Sequence, residues 1–173
     1  MKEALEQSVL TPILEEYREE VGITRRVLER VPGDKLMWQP HAKSMTLGQL
    51  ALHVGTIPGG ISKLVSQDSF DAAQANFVPP QPKSAEEILS TFEESARDGE
   101  GCLSAMSDEK ALGPWTLKFQ DKEVFTKPRI GIIRTIMLNH WYHHRGQLSV
   151  YLRMLDVAVP VIYGRSADEN PFG

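Results

Sequence analysis

Asn139-His140-Trp141-Tyr142-His143-His144-Arg145-Gly146-Gln147-Leu148 concentrates three of the chain's five histidines at positions 140, 143 and 144. His140 and His144 are four residues apart, so on a helix they share one face. Their Cβ atoms then lie about 5–6 Å apart, within reach of a single metal ion. His143 falls off that face and reads as a surface residue or a neighbour of the site. The surrounding repeat of Ile133, Met137, His140, His144, Leu148, Tyr151 and Leu155 follows steps of three and four. It predicts a helix from near Pro128 to about Asp156 with both histidines on its inner stripe.

Working outward, Thr46-Leu47-Gly48-Gln49 fits a capping box that opens another helix. Its inner stripe is Leu50, His53, Ile57, Ile61 and Leu64. His53 therefore stands among residues that favour burial. A neutral imidazole there needs partners or carries a desolvation cost, and a metal ion is one such partner. Pro58-Gly59-Gly60 predicts a kink or break, because Pro58 lacks a donor and crowds the Val54 carbonyl. The plainer reading is a tolerated packing kink; the functional one is a widened pocket mouth beside His53.

An earlier helix is expected from Thr11-Pro12 to Val31, with Thr11 as cap and Ile13, Tyr17, Val21, Thr24, Leu28 and Val31 facing inward. Glu15, Glu16, Glu19, Glu20, Arg25 and Arg26 read as its solvated face. Trp38 is expected to plug one end of the core, and His41 to be a solvated loop residue. The long linker from Gln67 to Lys83 ends in Val78-Pro79-Pro80-Gln81-Pro82, which makes it extended and stiff. A crossover of that length lets two successive helices run parallel. Ser84-Ala85-Glu86-Glu87 is a second capping box and starts a helix with Ile88, Phe92, Ser95, Gly99, Cys102 or Leu103, and Met106 inward. Cys102 reads as a small core residue, with metal ligation as its functional alternative. Trp115 to Phe119 alternates apolar and polar, and Val124-Phe125 follows a turn-like Gln120-Asp121-Lys122. A small hairpin or ordered loop fits.

Four amphipathic helices with little strand signal predict an all-α four-helix bundle, one domain spanning residues 1–173. If the helices bearing His53 and His140/His144 are neighbours, three imidazoles converge. Three such ligands leave a divalent ion an open position, the arrangement of a catalytic zinc site. Arg145 and Gln147 flank the pair and point to its edge or away; either orients a ligand histidine or a substrate anion, or meets solvent. With 173 residues, 41% of them apolar, and a formal charge of −4, the composition is that of an ordinary globular domain without a nucleic-acid footprint. The charged start has no signal-peptide core, and no apolar run approaches a membrane span. A single cysteine excludes an intrachain disulfide. Together these predict a cytoplasmic protein.

Thr46-Leu47-Gly48-Gln49-Leu50-Ala51-Leu52-His53 and His140-Trp141-Tyr142-His143-His144-Arg145-Gly146-Gln147-Leu148 resemble the two motifs of the DinB/YfiT-like family. The resemblance implies an up-down-down-up bundle and a divalent metal site at His53, His140 and His144. Zinc or nickel is the ion it implies, and a homodimer a frequent assembly. Some relatives are thiol-dependent transferases that use bacillithiol or mycothiol. Pro58-Gly59-Gly60 departs from the family pattern. The expected function is a metal-dependent enzyme, a thiol-dependent transferase or a hydrolase, acting on a small molecule. No Glu stands beside the histidines as in HExxH, so that general base is absent. The alternatives are a bundle whose metal is structural, or a small-molecule binding module.

Overall fold

The computed structural model describes residues 8–172. Helix α1, Thr11–Leu28, places proline in its first turn, but Leu10 occupies the cap with no side-chain bond, so Thr11 does not cap as expected. α2, Leu47–Ser66, opens on the predicted box: Thr46 Oγ1 accepts the Gln49 N–H at 3.1 Å and Gln49 Oε1 accepts the Thr46 N–H at 3.1 Å. α3, Ala85–Ala105, is capped by Ser84, while Glu87 turns back to the Lys83 N–H at 2.7 Å. The short α4, Asp108–Leu112, starts at Ser107 and had no periodic signal. The last helical region is not one uniform helix. It consists of α5, Arg129–Ile132, a π-helical stretch Ile133–Asn139, and α6, His140–Met154.

The four long helices touch in a ring: α1 meets α3 and α6, and α2 meets α3 and α6. Arg18 pairs with Glu100 and Arg25 with Glu93, so α1 and α3 run in opposite senses. Trp141 fills the centre, with its ring 5.7 Å from Tyr17 and 6.4 Å from Phe92. Burying three aromatic side chains at one point contributes several kcal/mol and ties α6 to α1 and α3.

α2 does not break at Pro58. It stays helical through Pro58, packed closely on α3. The Gly59 N–H is taken by Ser95 Oγ at 2.8 Å. A Cβ at Gly59 would come within 2.9 Å of Ser95 Cα, so only glycine allows this approach. Pro58-Gly59 thus serves the α2–α3 contact and not a pocket mouth beside His53. Gly99 on α3 has the same role toward α1. Tyr17 is fully buried and donates to the Ala96 carbonyl at 2.8 Å, in the space a Gly99 Cβ would fill.

The all-α expectation is corrected by a three-stranded mixed sheet of order β1-β2-β3. The predicted hairpin is present as β2, Pro114–Phe119, and β3, Lys122–Pro128. The crossover linker adds β1, Ser69–Asp71, parallel to β2. Three residues are too few to display an alternation, and the partner strand lies far along the chain. The Asp71 carboxylate also accepts the N–H groups of Gln120 at 3.1 Å and Asp121 at 3.0 Å, which clamps the hairpin turn. Both turn residues adopt positive φ, 51° and 62°, as a two-residue hairpin loop requires. Trp115 is buried and bonds the Leu64 carbonyl at 3.3 Å. That anchor lies eleven residues beyond His53, about 16 Å along α2, so the base of the sheet stands away from the histidines. No helix among the described residues is long and apolar enough to cross a membrane.

The glycine contacts make opposite predictions for two neighbours on α3. Gly99→Ala displaces the Tyr17 hydroxyl and costs about 1–3 kcal/mol in urea unfolding. Gly101 has nothing within 4 Å of its added Cβ, so Gly101→Ala is neutral or stabilises by up to about 1 kcal/mol.

Candidate metal centre

The structure brings His53, His140 and His144 together. Their ligand atoms all lie within 4.8 Å of one another. Ring centroids are 4.5 Å apart for His53–His144, 4.5 Å for His140–His144 and 5.3 Å for His53–His140. The Nε2 atoms of His53 and His140 stand 3.5 Å apart. All three rings are half-buried. The arrangement follows from two elements: α2 supplies His53 about two turns beyond its capped start, and the opening residues of α6 supply the pair.

The histidines do not occupy the inward stripe that the periodicity predicted for them. The buried residues of α6 are Trp141, Arg145, Leu148 and Leu152. Upstream, Ile133 and Met137 are buried, so the buried positions advance by four from 133 through 137 and 141 to 145. A π stretch has more residues per turn than an α-helix, so it carries the buried face one residue further along. His140 and His144 move to the flank of that face, half-open beside α2.

Arg145 is the largest departure from expectation. It is 1% exposed and forms an ion pair with the buried Glu20 on α1. It also donates to Thr24 Oγ1 at 3.0 Å and to the Tyr163 hydroxyl. Its guanidinium lies 5.2 Å from the Tyr142 ring and 5.1 Å from the Tyr163 ring. A lone buried charge would be prohibitively costly, and these partners remove that cost. Glu20 was hidden in a run of glutamates that reads as a solvated face. Its neighbour Glu16 accepts the Tyr142 hydroxyl at 3.0 Å and pairs with Arg134. Burial, then the Glu20 charge, pushes the Tyr142 hydroxyl well above the ordinary tyrosine range.

The other candidates separate cleanly. Gln147 bonds one histidine of the cluster: His144 Nδ1 lies 2.7 Å from Gln147 Oε1. His143 is exposed, its ring 5.0 Å from that of His144. His41 is exposed and accepts the Lys43 N–H at 3.1 Å. Cys102 is outside the histidine group; its Sγ lies 3.0 Å from Ser66 Oγ and 3.3 Å from the Ser62 carbonyl. A hollow of about 550 Å³ bordered by Asp68, Lys110 and Arg129 shares no residue with the histidines.

All three imidazoles are held toward the neutral form. Burial first, and then the charges of His144 and His140, lower the His53 pKa to about 4. Burial likewise lowers His140, against an opposing bond to the Ile136 carbonyl. It lowers His144 against the bond to Gln147. Neutral rings with converging lone pairs are the donor set that a divalent ion of the zinc type requires.

The chain belongs to the DinB family, whose model matches residues 6–170. It is 24% identical over 162 residues to the uncharacterized protein YrdA of Bacillus subtilis (strain 168), covering 92% of this chain and 91% of that one. In fold it is similar to the crystal structure of the DinB-like protein YjoA from Bacillus subtilis, with TM-score 0.70 at 16% identity, covering 90% of this chain and 100% of the other. A DinB-like protein from Bacillus cereus ATCC 10987 superposes with TM-score 0.66 at 23% identity, covering 91% and 99%. At these identities the two structures establish the shared fold.

Two outcomes follow. Removing one partner of the buried ion pair leaves an uncompensated charge, so Glu20→Ala costs about 3–5 kcal/mol in denaturant unfolding. Replacing both, as Glu20→Leu with Arg145→Met, recovers most of that loss. In the second case, imidazoles with lowered folded pKa destabilise the native state once the unfolded chain takes up protons. For His53 the loss opens as pH falls through 6.5 and levels off below about 4. The Tm of metal-free protein therefore falls across that window, and His53→Asn makes the fall shallower.

Proposed function

We propose that His53, His140 and His144 bind one divalent metal ion, zinc or nickel, and that the protein is a metal-dependent enzyme acting on a small molecule. The observation that carries this reading is the mutual approach of the three ligand atoms within 4.8 Å, at rings kept neutral and half-open. Imidazole donors suit zinc and nickel. The group consists of imidazoles alone, so three ligands leave a position for a further donor. A bound ion supplies Lewis acidity toward a thiol or water held there.

The chain's own residues divide the remaining work. Trp141 and Arg145 fix the rotation of α6 and with it the two rings it carries. Arg145 is spent on Glu20, Thr24 and Tyr163, so it is a scaffold residue and not a substrate-anion receptor. Among the described residues no carboxylate belongs to the histidine group, which favours transfer by an activated thiol over a hydrolysis that needs a general base. A low-molecular-weight thiol is the cosubstrate this reading assigns.

The same proposal takes residues 1–173 as one domain in the up-down-down-up arrangement, working as a homodimer. Pair directions support the topology. α2 runs with α3, as Gly55 near Phe92 and Gly59 near Ser95 indicate. α6 runs against α2, since His53 meets His140 and His144 while Met45 meets Tyr151.

Metal content of untagged protein tests the reading. The expected result is about one equivalent of zinc or nickel, lost in both His53→Ala and His140→Ala. Chelation is expected to empty the site and leave the far-ultraviolet circular dichroism unchanged, since the aromatic core is built without it. Unfolding on chelation would mean a structural staple. Absence of metal, with failed reconstitution, would end the enzyme reading.

A further inference from the structure

The irregularity in the last helical region lies immediately before the ligand pair. In an α-helix the His140 amide would bond the Ile136 carbonyl. Here it bonds the Met137 carbonyl, at the end of the π stretch Ile133–Asn139. A π segment holds one residue more than the α ladder, and a carbonyl drops out of the regular pattern. The Ile136 carbonyl lies against the His140 side chain and favours its protonated ring. Nε2 of His140 faces His53 at 3.5 Å, which leaves Nδ1 to meet that carbonyl. His144 repeats the arrangement with a different acceptor. Its Nδ1 lies 2.7 Å from Gln147 Oε1, one turn further along.

We propose that the Ile136 carbonyl and Gln147 are positioning groups for the metal centre: each takes the Nδ1–H of one histidine and so turns that ring's Nε2 lone pair toward the shared point. This rests on the reading of His53, His140 and His144 as metal ligands. A free imidazole distributes its proton between both nitrogens, and only a ring whose other N–H is engaged is fixed in tautomer and orientation. The π stretch is then part of the site, because it makes one acceptor available and sets both rings on the flank facing α2. Loss of such an outer partner typically weakens metal binding about 10–100-fold. Gln147 is exposed, so changing it leaves the core intact.

Two measurements test this together. Long-range proton–nitrogen correlation spectra of metal-free protein at a pH near 8 read the ring tautomers, and competition with a chromophoric chelator reads zinc affinity. The wild type is expected to show His140 and His144 as Nδ1–H tautomers. Gln147→Leu is expected to release His144 to a mixture and to weaken zinc binding about 10–100-fold. Gln147→Glu keeps an acceptor and is expected to recover most of the affinity. Deleting Thr135 closes the π stretch into an α-helix and is expected to release His140 while leaving His144 fixed. If the deletion fails to fold, the Gln147 pair still decides. Zinc binding that is unchanged in Gln147→Leu, or an Nε2–H His144 in the wild type, would overturn this inference and leave the metal site standing. Wild-type protein that shows both tautomers and binds no zinc would overturn the metal reading, and this inference with it.

Discussion

A charge with nowhere else to go sets the geometry of this protein. Arg145 sits in the middle of α6 and is closed off from solvent. Its guanidinium is tolerable there only against Glu20 of α1, with Thr24 and Tyr163 taking further donors. Rotating α6 would strand the charge in the core, so one rotation of the helix is selected over all others. Trp141, one turn earlier on the same face, selects the same rotation by volume. Residues of a helix step by about 100°, so pinning positions 141 and 145 toward α1 and α3 also decides where 140 and 144 point. The histidine cluster is the other side of that constraint.

The local parts of this molecule were legible in the sequence, and the non-local parts were not. The Thr46 and Ser84 caps, the hairpin and the identity of the three histidines all depend on residues a few positions apart. Arg145 could not be read correctly because its partner lies on another helix, inside a run of acids that resembles a solvated face. β1 is three residues long and exists only because β2 offers an edge. The π stretch left no mark on composition at all. A reading at constant helical period put the histidines on the inward stripe, and the added residue moved them to its flank. That error matters chemically. Fully inward rings would form a sealed core, whereas flanking rings stay half-open to a ligand arriving from outside.

Small residues and charges divide the work of joining the helices. α2 and α3 are brought together by Gly55, Gly59 and Ser95, with Gly59 close enough for its amide to bond across the contact. α1 and α6 are joined by ion pairs and aromatic faces instead. Proline inside α2 is therefore not a flaw in an otherwise regular helix. It is placed where the neighbouring helix supplies an acceptor for the next amide, that of Gly59.

His53 stands on one side of the α2–α6 seam, and His140 and His144 stand on the other. Sliding one helix past its neighbour by a single residue moves side chains by about 1.5 Å. Packed aliphatic side chains absorb a shift of that size by changing rotamers. A coordination sphere of the proposed kind would not, since ligand distances hold to within about 0.2 Å. With an ion held as proposed, the three rings would act as a gauge of shear between the two helices: the register that keeps them in range of one ion would be narrower than the register that keeps the helices packed.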